Sequence, residues 1–176
     1  MIHRELATGL TSAASVSRFL TRILPGAETL LRDLTSKDIL HVAATEAGPE
    51  RRVLRICEEG PKSLIDFFLL NLARATVDSV LLTGATARAE PTLTSRIQGP
   101  FAKGLLEWRT QQEEAKCILL TRGLIPLDDE HPLQVDTIVN SLDCLNEKDT
   151  YGLISLEAGP STTRSLYQSD TPPTIL

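Results

Sequence analysis

Apolar residues fall along this chain in two alternating patterns, one of helical spacing and one of short buried runs. In residues 1–38, Val16, Phe19, Leu20, Ile23 and Leu24 recur at helical intervals, with Arg18 and Arg22 on the other side. Pro25 and Gly26 interrupt that segment, and residues 28–34 resume it. Residues 39–45 form an apolar run of strand type, 46–49 read as a turn, and 52–57 alternate as a short strand would. Ser63 followed by Asp66 predicts a helix start, and Leu64, Phe67, Phe68, Leu70 and Leu72 give that helix a broad apolar face to about Arg74.

Three further runs are short, apolar and bounded by glycine: 77–82 before Gly84, 116–122 before Gly123, and 151–156 before Gly159. Each reads as a fully buried strand. Between them, 100–115 mixes Leu105, Leu106 and Trp108 with charges and predicts an exposed helix or long loop. Residues 137–145 predict a short helix with Ile138, Leu142 and Leu145 facing inward, and the interval 126–137 offers no strand. Strands alternating with helical segments imply an α/β domain. The boundaries predicted are a helical N-terminal extension over 1–38 and the α/β domain over 39–176.

Two of the strand ends carry candidate chemistry. The first runs into Gly84 and a segment headed by Thr86; the second runs through Glu157 into Gly159, Ser161 and Thr162. A strand feeding a glycine turn and a hydroxyl-capped helix leaves backbone N–H groups unpaired, which suits a phosphate. If the two strands are parallel neighbours, their ends line one crevice, where open α/β sheets place ligands.

Composition narrows the alternatives. The chain has 176 residues, enough for one domain with a real core, and 41% of them are hydrophobic. A net charge of −5 and the lack of a basic run argue against a nucleic-acid partner. No apolar segment is long enough to span a membrane. Cys57, Cys117 and Cys144 are odd in number and far apart, and His3, His41 and His131 are scattered, so neither a disulfide framework nor a metal site is expected. The expected location is the cytoplasm. Early arginines with Ser and Thr give a mitochondrial presequence some support, which Glu5 weakens.

The residues from Arg74 to Arg96 complete a recognisable order: Arg74 and Asp78 at a helix end, a strand, Gly84 and Thr86, then Glu90, Pro91, Leu93 and Arg96. With Glu157, Ala158, Gly159 and Pro160 at a later strand end, this resembles the reductase family of riboflavin biosynthesis, which includes the C-terminal domain of the bacterial bifunctional deaminase–reductase. The resemblance covers roughly residues 39–166. It implies a dihydrofolate reductase-like mixed sheet flanked by helices, and a reductase that uses NADPH to convert the ribosyl group of a phosphoribosylaminopyrimidine to ribityl. It further implies that Gly84, Thr86, Thr121, Arg122, Gly159, Ser161 and Thr162 border the cofactor, with Arg122 on the adenosine 2′-phosphate. Arg96 would meet the substrate phosphate, and Glu90 and Glu157 would accept hydrogen bonds from ribose hydroxyls. No catalytic acid or base is implied, because positioning the nicotinamide carries most of the rate.

The chain also departs from the family pattern. Ala47 stands where the family has a carboxylate, Glu90 adjoins Pro91 directly, and Ala158 replaces the first glycine of a pair. The family's last strands, which complete its sheet and often its dimer, are not expected before Leu176, and an uncovered sheet edge invites a second copy. These departures define the alternative expectation, an impaired or truncated relative that acts in binding or assembly.

Overall fold

The computed structural model describes residues 6, 9–36, 38–42, 63–90, 92–109, 113–125, 131–143, 148–168 and 174–175. The strand expected over 52–57, the turn at 46–49 and Ala47 lie outside the described residues.

The sheet is built from β1 (Ile39–His41), β2 (Ser79–Thr83), β3 (Lys116–Leu120), β4 (Thr137–Val139) and β5 (Ile154–Glu157), in the order β4-β3-β2-β5-β1. A two-residue β6 (Thr174–Ile175) adds beside β1. Every one of these pairings is parallel, so the mixed sheet expected above is corrected for the described strands. Parallel neighbours require crossovers, and helices supply most of them. The helices are α1 (Ala13–Ile23), α2 (Ala27–Asp33), α3 (Leu64–Thr76), α4 (Gly84–Ala89), α5 (Ala102–Trp108), α6 (Lys148–Tyr151) and α7 (Pro160–Tyr167).

Side-chain alternation along the strands sorts the core into two layers. Leu40, Val80, Leu82, Cys117 and Leu119 face one cluster with Phe19, Phe68, Leu72, Phe101 and Leu105; Ile39, Leu81, Ile118, Ile154 and Leu156 face another with Leu166. All five residues of β2 are buried, as expected of a central strand covered on both faces.

The N-terminal helices belong to the first layer. Ser12 and Ser15 cap α1 reciprocally, and Val16, Phe19 and Leu20 are buried. Phe19 meets Phe68 of α3 edge-on at 5.0 Å between ring centroids, and Phe68 meets Phe101 in the same way at 5.3 Å. Trp108 is buried as well: its indole N–H donates to Glu28 Oε1 at 3.2 Å, and the Arg32 guanidinium lies over its ring. The exposed helix or loop expected over 100–115 is therefore a half-turned-in helix, α5, that docks against α1.

The helix expected over 137–145 is also corrected. Thr137, Ile138 and Val139 form β4, and Ile138 is 65% exposed rather than inward-facing. Three consecutive β-branched residues favour the pleated backbone, and pairing with β3 outweighs the weak helical periodicity. The strand missing between 126 and 137 thus begins at the end of that interval. No helix among the described residues is long and apolar enough to cross a membrane.

Candidate functional site

All the parallel strands end on the same side, and the neighbours β2 and β5 are far apart in sequence. The chain moves outward from β2 through β3 to β4, then returns to place β5 against β2. This reversal is where an open parallel sheet leaves a crevice beyond its carboxyl ends.

At the end of β2 the capping hydroxyl is Thr83, not Thr86. Thr83 Oγ1 accepts from the Thr86 N–H at 3.2 Å, and the two hydroxyls lie 2.9 Å apart. A side chain at the strand's last residue reaches the amide three positions on, as an N-cap does, so Thr86 sits one turn inside α4. Gly84 begins that helix because nothing larger fits. A Cβ there would come within 2.6 Å of Thr121 Oγ1 and 2.8 Å of Ile125 Cδ1. Thr121 in turn closes the loop after β3, its hydroxyl donating to the Gly123 carbonyl at 2.9 Å and accepting from the Gly123 N–H at 3.2 Å.

At the end of β5, Gly159 caps α7 with an ordinary φ of −68°, and Pro160 occupies the first helical position. A Cβ on Gly159 would meet nothing within 4 Å. Ser161 and Thr162 follow in the first turn, where backbone N–H groups have no partner inside the helix.

These ends enclose an open cleft of about 530 Å³. The β2 side contributes Thr83, Gly84, Ala85 and Arg88, and the β3 side Leu120, Thr121, Arg122 and Gly123. Asn140, Ser141 and Leu142 beyond β4 form one wall, and Gly159, Ser161, Thr162 and Ser165 form the opposite one. Six of the seven residues expected to border a cofactor are brought together here; Thr86 does not line the cleft. Among the described residues the lining contains two arginines and no Asp or Glu, on a chain whose net charge is −5.

Arg88, Asn140, Ser141 and Ser165 are not among the residues expected at a site, and Leu142 is expected only as an inward-facing helix residue. Arg88 stands four positions after Gly84 and Ser165 four after Ser161, so helical spacing links each to a residue already singled out. Asn140 to Leu142 follow β4, in the span whose spacing predicts a helix over 137–145.

Glu90, Arg96 and Glu157 do not line the cleft; they gather around Arg74. The Arg74 guanidinium donates to both oxygens of Glu157, Nε to Oε1 at 2.7 Å and Nη2 to Oε2 at 2.6 Å, and its Nη1 donates to the Arg96 carbonyl at 3.0 Å. The side chains of Arg74 and Glu157 are only 4% and 8% exposed. Burial opposes the Arg74 charge, but the adjoining Glu157 carboxylate more than offsets it and raises the pKa. Asp78, four residues from Arg74, instead accepts from the Leu153 N–H at 2.7 Å and so ties the entry of β5 to that of β2.

Burial, then repulsion from Glu157, lifts the Glu90 carboxyl above its usual range against the opposing pull of Arg74. Arg96 is largely exposed, its Nη2 donating to Gln134 Oε1 at 2.5 Å. Near the same cluster Cys117 is buried and its thiol is pushed up to about 11, chiefly by that burial, which leaves it protonated and inert as a nucleophile at neutral pH. On the far side of β5, His41 Nδ1 lies 2.9 Å from the Tyr167 hydroxyl, and burial lowers the pKa of His41. No group of three His, Cys, Asp or Glu among the described residues could hold a metal ion.

Fold and site together define an α/β protein with a parallel sheet, flanking helices and a cleft at the carboxyl ends of its strands. The chain matches no protein-family model, and no curated protein or solved structure is significantly similar to it.

Proposed function

We propose that this cleft binds NADPH and that the chain reduces a phosphoribosylaminopyrimidine, ribosyl to ribityl, as the riboflavin-biosynthesis reductases do. The observation that carries the reading is the convergence of Gly84, Thr121, Arg122, Gly159, Ser161 and Thr162, from three separate strand ends, on one cleft. The charge and the hydrogen-bond donors of the lining support this reading. Arg122 supplies a guanidinium for a phosphate, Ser161 and Thr162 supply hydroxyl and backbone donors, and Gly159 leaves open space where a side chain would intrude.

When bound, the cofactor would supply a hydride to C1 of the ribosyl group, where the bond to the ring oxygen breaks and that oxygen takes a proton from solvent. The protein's share is orientation: Gly84 holds the β2 and β3 ends close together, and Thr121 fixes the loop that carries Arg122. In this reading Glu90 and Arg96 receive the substrate, Glu90 through ribose hydroxyls and Arg96 through the phosphate. Glu157 keeps Arg74 in place and retains lone pairs for a further hydrogen bond. The test is NADPH oxidation, followed by absorbance, in the presence of the phosphoribosylaminopyrimidine. Oxidation that depends on that substrate is expected; none at any substrate concentration contradicts the reaction.

One observation favours the second reading, a relative retained for binding or assembly rather than turnover. Both Glu157 oxygens are committed to Arg74, so the carboxylate that would meet the ribose is already engaged. NADPH binding without turnover is its signature.

A further inference from the structure

We infer that two copies of this chain join edge to edge through β4, antiparallel about a dyad at Ile138, and so continue one sheet across both molecules. This surface does not depend on the cofactor reading. β4 ends the strand order and pairs only with β3 among the described strands. Ile138 lies beside Leu119 in that register, and side chains so paired point to the same face of the sheet. Leu119 is fully buried there, yet Ile138 is 65% exposed, so the layer that covers β3 stops short of the last strand. Ile138 and Leu124 are the two most exposed large apolar side chains among the described residues, and Leu124, at 99%, stands in the loop after β3.

The backbone favours the same pairing. Val139 turns its carbonyl toward β3, where it accepts from the Thr121 N–H at 2.8 Å. Backbone groups alternate in direction along a strand, so the N–H and C=O of Ile138 face the open edge. In an antiparallel pair about Ile138, each copy donates that N–H to the Ile138 carbonyl of the other, and two hydrogen bonds close at once. Charge selects a second copy as the occupant. A dyad sets residues of one strand against those of its twin, so a charged edge on this acidic chain would repel itself. Residues 137–142 carry neither charge nor proline, the devices that keep solvent-facing edges unpaired. Asp136, just before β4, is turned back to accept from the Cys117 N–H at 2.7 Å, and in this register it falls opposite Asn140 rather than opposite itself.

Sedimentation velocity of the full chain, from about 1 to about 100 µM, tests this in the wild type, Ile138→Lys and Leu106→Lys. The wild type is expected to sediment as a dimer that dissociates on dilution. Ile138→Lys sets two ammonium groups at the dyad and is expected to stay monomeric throughout, with the melting temperature of the dilute protein unchanged. Leu106→Lys makes the same change at another exposed apolar position and is expected to behave as the wild type. The paired Ile138 Cα atoms would lie roughly 5.5 Å apart, within disulfide reach, so oxidised Ile138→Cys is expected to give a covalent dimer linked through position 138, read by mass spectrometry. A wild type that is monomeric at every concentration, a dimer indifferent to Ile138→Lys, or species larger than a dimer overturns the pairing. So does a dimer that Ile138→Cys fails to crosslink.

Discussion

The residue with the most at stake is Arg74. Its bidentate contact with Glu157 is almost fully removed from water, so each charge depends on the other. Arg74→Met leaves the Glu157 carboxylate buried without a partner, and urea denaturation should register a loss of about 3–5 kcal/mol. Replacing both residues, as Arg74→Met with Glu157→Leu, should restore much of that loss; a neutral single variant would show that the pair is not buried as described. Glu90 adds a pH-dependent term. Its folded-state pKa lies above the ordinary value of 4.5, so its ionisation weakens the fold as pH rises through the folded-state pKa. Glu90→Gln should therefore stabilise the protein at neutral pH, and the gain should fade below pH 4.5, where the carboxyl is protonated in both states. Melting curves across that range check it, and a gain that persists in acid would contradict it.

At the scale of elements, Gly84 and Gly159 look alike in sequence and differ in structure. Gly84→Ala drives a methyl group into Thr121 and Ile125 and should cost about 1–3 kcal/mol of stability, seen in thermal or urea unfolding. Gly159→Ala meets only open space at an ordinary φ, so it should fold normally and lose NADPH affinity instead. If Gly159→Ala destabilises while Gly84→Ala does not, the two turns have been misassigned. The same contrast shows what was legible in the sequence. β2, β3 and β5 were read to within a few residues because both faces of a central strand are buried, which makes a continuous apolar run. β4 was missed because three residues are too few to show a period, and its identity comes from pairing with β3. The Arg74–Glu157 pair could not be read either. Its partners are 83 residues apart, beyond the reach of any local pattern.

For the molecule as a whole, the N-terminal helices and the sheet share one core, and the cleft lies at the carboxyl end of that unit. Phe19, fully buried against Phe68, is where that claim is most exposed to test. Phe19→Ala should cost about 3–5 kcal/mol in a single cooperative transition, while an independent N-terminal segment would give a small loss or a separate transition. The strand order carries the functional argument further, because inserting β5 beside β2 sets Gly159, Ser161 and Thr162 across from Gly84, Thr121 and Arg122. The central claim is that this juxtaposition holds a phosphorylated nicotinamide dinucleotide. Calorimetric titration of NADPH into the wild-type chain and Gly159→Ala tests it most directly. The account predicts saturable one-site binding that the added methyl group weakens without lowering the melting temperature; no detectable binding at millimolar NADPH, or binding indifferent to the methyl group, would contradict it.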